Sequence, residues 1–104
     1  MHTQQTTELV IDGTRSPAFR FSGTNCGITF QTQSAARTAT LYYKMWDSWH
    51  STGITKTTSN TANTRIVPDD LTAIADLTAS GFEFYIGFDG SETGKKIMIT
   101  SVSD

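Results

Sequence analysis

Strict alternation of apolar residues constrains what this chain can fold into more than any other feature of its sequence. In the segment GFEFYIGFDG, Phe82, Phe84, Ile86 and Phe88 occupy every second position. Successive side chains of an extended strand point to opposite faces, so this segment predicts a strand with one buried face. The same period recurs in AFRFSG, CGITFQTQ and KKIMITSVS. The alternation therefore predicts a chain that consists largely of half-buried strands.

The strand-like segments are short, and turn-forming residues separate them at intervals of roughly 8–12 residues. Seven or eight strands at this spacing predict an all-β domain, an antiparallel β-sandwich of jelly-roll type. The segment PDDLTAIADLTAS breaks the period, because Pro68 stands at a first helical position and is followed by two acids and apolar residues at helical spacing. We expect one short helical segment near Leu71–Asp76.

The length of 104 residues fits a single domain. Residues 1–7, MHTQQTT, are polar throughout and predict a flexible N-terminal arm, followed by a single β-sandwich domain over residues 8–104. Burial of each large apolar side chain stabilises a fold by about 1.5–3 kcal/mol. The residues expected to supply the core are Phe19, Phe21, Ile28, Phe30, Leu41, Tyr43, Phe82, Phe84, Ile86, Ile97 and Ile99.

The surface is expected to be polar but weakly charged. The sequence contains nineteen Thr and ten Ser, whereas charged residues make up only 17% of it. Threonine suits exposed strand positions because its branched carbon fits a pleated sheet and its hydroxyl can face water. The net charge is -2 and the basic residues are scattered, which argues against nucleic-acid binding. No apolar run approaches transmembrane length, so no membrane partner is expected.

The sequence offers no motif for catalysis or for binding a metal or cofactor. His2 and His50 are the two histidines and Cys26 is the lone cysteine, without the spacing of a nucleophile motif or a metal site. Asp69 and Asp70 are adjacent at a helix start, where capping of the helix explains them. A lone thiol in a strand is more often packed than reactive. We therefore predict a protein that is not an enzyme and has no cofactor.

The segment LYYKMWDSWHSTG concentrates aromatic residues and predicts a β-hairpin that turns at Asp47 and Ser48. One face of its first strand is expected in the core and consists of Leu41, Tyr43 and Met45. The opposite face consists of Tyr42, Lys44 and Trp46. Trp49 opens the return strand and is expected to pack between the sheets. The residues predicted to contact a partner are Tyr42, Lys44, Trp46 and His50 of the hairpin and His2, Gln4 and Gln5 of the arm.

Three segments taken in order resemble a class of small structural proteins of tailed bacteriophages. LYYKMWDSWHSTGI supplies a strand, a turn with an acid and a small residue, and a Trp that opens the next strand. RIVPDDLTAIADLTASGF supplies the step into a short helical segment. FEFYIGFDGSETGKKIMITSV supplies an aromatic strand, a glycine-containing turn and a final apolar strand. The resemblance covers roughly residues 27–102 and departs from the class at WDSW, where a glycine turn is commoner.

The resemblance implies a β-sandwich on the surface of a virion. We expect a phage capsid decoration (cement) protein that is made in the host cytoplasm, binds the shell of the major capsid protein and stabilises the virion. Small β domains of this kind commonly form trimers about a local symmetry axis, which predicts a homotrimer. The alternative is a carbohydrate-binding or receptor-adhesion module of a phage tail or fibre, with Trp46 or Trp49 exposed. A third candidate is an assembly or tail-completion factor at the portal or tail.

Overall fold

The computed structural model describes residues 3–20, 26–33, 37–79 and 81–103, which form two four-stranded sheets and one helical segment. The strands are β1 (Thr3–Val10), β2 (Phe19–Arg20), β3 (Cys26–Phe30), β4 (Thr38–Met45), β5 (Ser48–Thr57), β6 (Thr64–Ile66), β7 (Glu83–Phe88) and β8 (Lys96–Ser103). The helical segment consists of α1 (Pro68–Leu71), a 3-10 turn (Thr72–Ile74) and α2 (Ala75–Ala79). The prediction of an all-β sandwich with a short helical segment is confirmed.

Each sheet is antiparallel throughout, and the strands do not follow one another in chain order. The first sheet has the order β1-β8-β3-β6 and the second sheet has the order β2-β7-β4-β5. The first strand pairs with the last, β2 with β7, β3 with β6 and β4 with β5. The pairing therefore proceeds from the outermost strands of the chain inward to the β4–β5 hairpin, and only this hairpin joins neighbours in sequence.

The two sheets pack face to face around a core of inward-pointing side chains. Phe30 of the first sheet and Phe88 of the second meet edge to face, with ring centroids 5.7 Å apart. The expected core residues that are buried are Phe19, Ile28, Phe30, Leu41, Phe84, Ile86, Ile97 and Ile99. Tyr43 and Phe82 only pack against this core, and Phe21 lies outside the described residues. Short strands, loops and the helical segment add Ile11, Cys26, Ala39, Ile66, Leu71, Ile74 and Phe88.

The helical segment runs from Pro68 to Ala79 and is longer than the predicted range. Its start is held by Asp70, whose Oδ2 accepts a hydrogen bond of 2.9 Å from the backbone N–H of Val67. Lys56 Nζ lies 3.2 Å from the same carboxylate. The backbone hydrogen bond and, after it, Lys56 lower the pKa of Asp70 below its ordinary value. Asp70 therefore caps the helix, as the sequence predicts.

The first strand begins within the segment that the sequence predicts to be a flexible arm. Thr3 pairs with Ser103, and the register continues without interruption to Val10 opposite Lys96. Residues 3–7 therefore form part of an edge of the first sheet. The side chains of residues 5–7 are all exposed, so backbone hydrogen bonds to β8 hold this part of the strand, whereas Leu9 farther along packs against the core. Exposed residues leave no hydrophobic alternation in the sequence.

The fifth strand departs from regular pairing near its middle. Thr52, Gly53 and Ile54 lie opposite the single residue Leu41, which places a bulge at the edge of the second sheet. Gly53 has a φ of 86°, a left-handed conformation that glycine adopts at no steric cost. Thr52 Oγ1 closes the bulge by donating a hydrogen bond of 2.7 Å to the carbonyl of Leu41. Because an even number of residues is inserted, alternate side chains keep the same outer face on both sides of the bulge.

A buried carboxylate joins the loop after β7 to the loop after β3. Glu92 is fully buried, and Arg37 Nε donates a hydrogen bond of 2.8 Å to its Oε2. Its Oε1 accepts a hydrogen bond from the backbone N–H of Gln33. Gly90 leaves room for this pair, because a Cβ there would lie 1.8 Å from Arg37 Nη1. The ion pair fixes the end of β4 that is remote from the β4–β5 turn.

Candidate interaction surface

The outer face of the second sheet carries aromatic rings that stack across neighbouring strands. Leu41 points into the core, so Tyr42 points outward and stands opposite Tyr85 of β7. The two rings stack with their centroids 4.8 Å apart and their planes at 14°. Gly87 leaves room for the stack, because a Cβ at that position would come within 2.8 Å of Tyr42 Cε2.

Trp49 adds a third ring and completes an aromatic cluster that consists of Tyr42, Trp49 and Tyr85. The indole meets Tyr85 edge-on, with 4.7 Å between centroids. The sequence predicts that Trp49 packs between the sheets, but the hairpin register pairs it with Lys44 and so places it on the outer face. Arg15 covers the cluster, with its guanidinium carbon 4.5 Å from the centroid of Tyr85. The three rings are therefore half-buried by one another and by Arg15.

The turn of the β4–β5 hairpin holds a tryptophan out in solvent. Because Met45 pairs with Ser48, the turn consists of Trp46 and Asp47, one residue earlier than predicted. Trp46 is 89% exposed and has a φ of 61°. A left-handed backbone costs a residue with a side chain roughly 1–2 kcal/mol, and glycine is the usual choice at such turn positions. Trp46 thus combines solvent exposure with backbone strain.

His50 points to the other face of β5 from Trp49. It pairs with Tyr43, and the two rings lie 5.5 Å apart between centroids. Tyr43 in turn meets Phe82 edge to face at 6.2 Å, beside the core. The predicted contact residues of the hairpin therefore occupy three places: Tyr42 and Lys44 on the outer face, Trp46 at the tip, and His50 exposed on the opposite face of β5, against Tyr43.

The predicted contact residues of the arm belong to the other sheet. Gln5 is exposed in β1 opposite Ser101, and Gln4 precedes it opposite Val102. His2 lies outside the described residues. Since β1 is in the first sheet and the hairpin is in the second, the structure does not bring these two groups together.

The cations on the outer face of the second sheet differ in whether they form an ion pair. Arg20 pairs there with Glu83, with 3.1 Å between Nη2 and Oε1. Arg15 and Lys44 also lie on this face, and neither makes an ion pair within the described part of the chain. Lys44 Nζ lies 6.0 Å from the ring centroid of Trp49 instead. Arg15 and Lys44 are therefore two cations without an ion pair on this face, although the exposed Asp12 stands opposite Arg15 in a β-bridge.

Threonine hydroxyls extend the outer face beyond the aromatic cluster. Thr38 pairs with Thr57 and Thr40 pairs with Thr55, so two short rows stand side by side on β4 and β5. The sequence signal for these rows is the pair of segments TAT and TKT, each with Thr at period two. Abundance of Thr alone does not reveal the pairing, because the register depends on the bulge at residues 52–54.

The described part of the chain brings no set of catalytic side chains together. Within it, no group of three or more His, Cys, Asp and Glu side chains could hold a metal ion. Burial raises the pKa of the Cys26 thiol to about 11, so the thiol is protonated and a poor nucleophile at neutral pH. A shallow cavity of about 370 Å³ on the first sheet is lined by Glu8 and Lys96, which form an ion pair of 3.6 Å, and by no histidine or cysteine.

Comparison with known proteins gives no relative from which a function can be transferred. No protein-family model, curated protein or solved structure matches the chain. Within residues 3–20, 26–33, 37–79 and 81–103, no helix has the length and apolar character needed to cross a membrane. The hairpin tip and the outer face of the second sheet are therefore the features on which functional proposals rest.

Proposed function

We propose that the protein is a non-enzymatic phage capsid decoration protein, which docks on the major capsid protein through the tip of the β4–β5 hairpin. The observation that carries this proposal is Trp46, 89% exposed at a φ of 61°. The strained backbone costs the isolated fold free energy, and the exposed indole gives it none of the stabilisation that burial would give. Residues held in strained conformations cluster at binding sites. A partner that buries the indole supplies the compensating gain.

A pocket on another protein is the partner that best suits Trp46. Tryptophan is among the residues that dominate binding energy at protein interfaces, where its ring fills a pocket. A shallow cleft next to it is lined by Arg20, Lys44, Trp46, Gly81, Phe82 and Glu83. These residues offer the mixture of charge and aromatic surface that is typical of an interface rim. The indole projects from a turn, so it can enter a pocket without movement of either sheet.

Many copies of the protein on a symmetric shell could bind stably even if each copy made only one such contact. A buried tryptophan at an interface contributes roughly 2–4 kcal/mol, which alone gives only weak binding. We propose that the protein acts as a homotrimer about a local symmetry axis, so that three tips engage the shell together and avidity raises the total affinity. The proposed location is the capsid surface, after synthesis in the host cytoplasm.

We propose further that the sandwich is a jelly roll. When a long antiparallel hairpin is wrapped into two sheets, its paired strands are distributed between them, with the first strand beside the last. The orders β1-β8-β3-β6 and β2-β7-β4-β5 agree with this rule. Jelly rolls are common among viral capsid proteins and lectins, which suits the proposed role. Nuclear Overhauser contacts between backbone protons of neighbouring strands check this order, and contacts that pair β1 with a strand other than β8 would contradict the proposal.

The docking proposal is tested with capsids that have been purified without the protein. Wild type should co-sediment with them, and Trp46→Gly should bind at least about tenfold more weakly. Glycine suits a φ of 61° and removes the indole without disturbing the turn. The matched control is Val10→Ser, which removes another exposed apolar side chain from the first sheet, 51% exposed, and should bind as wild type does.

Four results would count against the proposal. Equal binding by Trp46→Gly and wild type would show that the tip is not the docking site. Failure of wild type to bind capsids, or normal resistance to heat and osmotic shock in virions that lack it, would reject the decoration role. Binding to purified tails and not to capsids would favour the tail-completion role instead.

A further inference from the structure

We infer that the outer face of the second sheet is a binding site for an acidic polysaccharide. The site adjoins the hairpin tip and shares Lys44 with the cleft next to Trp46, but it does not include Trp46 itself. It sharpens the carbohydrate-binding alternative that the sequence predicts, because it names both the surface and the charge of the ligand. Its components are the aromatic cluster, the cations Arg15 and Lys44, and the threonine rows of β4 and β5.

The aromatic cluster offers preformed surface to the apolar side of a sugar ring. Tyr42, Trp49 and Tyr85 each remain partly exposed. They hold one another at centroid distances of 4.8 and 4.7 Å, so little side-chain freedom is left to lose on binding. Aromatic faces carry partial negative charge and attract the polarised C–H groups on the flat side of a pyranose.

The charge of the face selects an acidic ligand over a neutral one. The face presents two cations, Arg15 and Lys44, beside its aromatic rings. Arg15 and Lys44 make no ion pair within the described part of the chain, and each lies beside an aromatic ring that restrains it. Carboxylates on a ligand would accept charge-assisted hydrogen bonds from both cations.

The threonine rows give the same face hydrogen-bonding capacity along its length. The hydroxyls of Thr38, Thr40, Thr55 and Thr57 both donate and accept, as the hydroxyls of a sugar do. β4 has eight residues and so spans about 26 Å. A pyranose repeat is shorter than two residues of an extended strand, so the face accommodates a chain of several sugars.

Two other anionic polymers suit the face less well. Nucleic acids are held by clusters of Lys and Arg that neutralise many phosphates, whereas this face has only three described cations, one of which is paired with Glu83. An extended acidic peptide gains most of its affinity from main-chain hydrogen bonds at a sheet edge, and the aromatic cluster lies on a face. Both polymers serve as comparison ligands in the test.

The test measures binding of oligogalacturonate, which has one carboxylate on each ring, by isothermal titration calorimetry. Wild type should bind it, and the fully methyl-esterified oligomer, which is neutral, should bind at least about tenfold more weakly. Added salt should weaken binding of the acid because part of the attraction is electrostatic. Equal binding of acid and ester, or binding of neither, would overturn the proposal.

Matched variants locate the site on this face. Arg15→Gln should lower the affinity at least about tenfold, because it removes a charge-assisted hydrogen bond. Arg65→Gln removes the same charge from an exposed position of β6 on the first sheet, and it should change the affinity by less than about twofold. Equal losses in the two variants would show a response to net charge alone and would overturn the proposal.

Three further measurements distinguish this site from non-specific binding and from the hairpin tip. Thr55→Val keeps the shape of an exposed side chain, removes its hydroxyl, and should weaken binding by about threefold or more while thermal unfolding stays normal. Trp46→Gly should bind oligogalacturonate as wild type does. Poly(dT) or poly-glutamate that bound as tightly as oligogalacturonate would overturn the assignment to a saccharide.

Discussion

At the scale of single residues, the two tryptophans of the hairpin have opposite environments because of where the chain turns. Trp46 occupies the turn and is 89% exposed, whereas Trp49 follows in the strand and is half-buried by Tyr85 and Arg15. A shift of one residue in a hairpin register moves every side chain to the opposite face. The position of the turn therefore decides which indole is available to a partner and which one supports the outer face.

Trp46→Gly should be at least as stable as wild type, because glycine relieves the left-handed strain at φ 61°. Trp46→Ala keeps that strain and should be less stable than the glycine variant by about 1 kcal/mol. Free energies of unfolding from urea titrations measure both differences. If the glycine variant were clearly less stable than wild type, the indole would pack on the fold and would not be available to bind a partner.

Glu92→Gln should lower the free energy of unfolding by about 3 kcal/mol, because it leaves Arg37 without its buried carboxylate. The matched control is Asp89→Asn, since Asp89 is exposed and lies 4.0 Å from the same guanidinium. That change should cost less than about 0.5 kcal/mol. Urea unfolding of the three proteins distinguishes them, and coincident curves for Glu92→Gln and wild type would contradict the structural role.

At the scale of elements, β5 shows how a long edge strand is kept from pairing with other chains. It has ten residues and forms one edge of the second sheet, which would ordinarily invite association. The bulge at Gly53 interrupts its regular pairing with β4. Lys56, on the inward side, forms an ion pair with Asp70 at the start of the helical segment. A bulge and an inward-pointing charge are both known to blunt strand edges.

The link between Asp70 and Lys56 predicts a dependence of stability on pH. The pKa of Asp70 is lowered in the folded state, so its contribution is present above the unfolded pKa of about 4 and is lost as the pH falls through the folded value. Asp70→Asn should be less stable than wild type at pH 7 by about 0.5–1 kcal/mol. The difference should shrink below pH 4, as followed by thermal unfolding.

Asp69→Asn provides the comparison for that measurement, since it changes the adjacent carboxylate without touching the contact to Lys56. Its stability difference from wild type should vary less with pH than that of Asp70→Asn. A constant difference between Asp70→Asn and wild type from pH 7 down to pH 3 would show that the charge of Asp70 contributes nothing to folding.

Periodicity predicts those elements whose register is imposed by burial and misses those held by other forces. Ile28, Phe84 and Ile97 were identifiable because a buried face leaves an apolar residue at every second position. Residues 5–7 leave no such pattern, since their side chains are exposed and backbone pairing with β8 positions them. The prediction for Trp49 is wrong because the face on which it lies depends on the position of the turn. The turn has Trp46 at a position where glycine is usual, so the sequence does not reveal where the chain turns.

For the candidate site, the sequence indicated the hairpin but not the outer face as a whole. Tyr42 and Lys44 followed from alternation within one strand. Arg15 and Tyr85 come from segments that are distant in the sequence. The pairing of β4 with β7 brings Tyr85 to the hairpin, and the bridge between Arg15 and Gly87 brings Arg15 to the same face. Long-range pairing of this kind carries no local signal, so a single sequence does not reveal it.

At the scale of the whole molecule, the order of strands divides the fold into a well-supported interior and a more open periphery. β8 and β3 lie between two neighbours in the first sheet, as β7 and β4 do in the second. The remaining strands pair on one side only. Core side chains such as Ile28, Leu41, Ile86 and Ile97 all come from the four interior strands.

Amide hydrogen exchange should therefore be slowest in β3, β4, β7 and β8, where both sides of the backbone are hydrogen-bonded. In β1 and β5 alternate amides face outward from the sheet edge and should exchange faster. Exchange followed by NMR in D2O tests this residue by residue. Uniform protection along β5, equal to that of β4, would indicate that its free edge is covered in solution by another copy of the chain.

The pairing of the first strand with the last also determines how the domain unfolds under mechanical force. Thr3 lies directly opposite Ser103, so tension between these two residues acts on the hydrogen bonds of the pair one after another, and β1 peels away at low force. The interior strands stay closed while it does so. The far end of the strand continues into Ile11, whose N–H donates a hydrogen bond of 2.7 Å to the carbonyl of Lys95. The hydrogen bond between Ile11 and Lys95 preserves the register of the pair, so β1 can pair with β8 again when the tension is released.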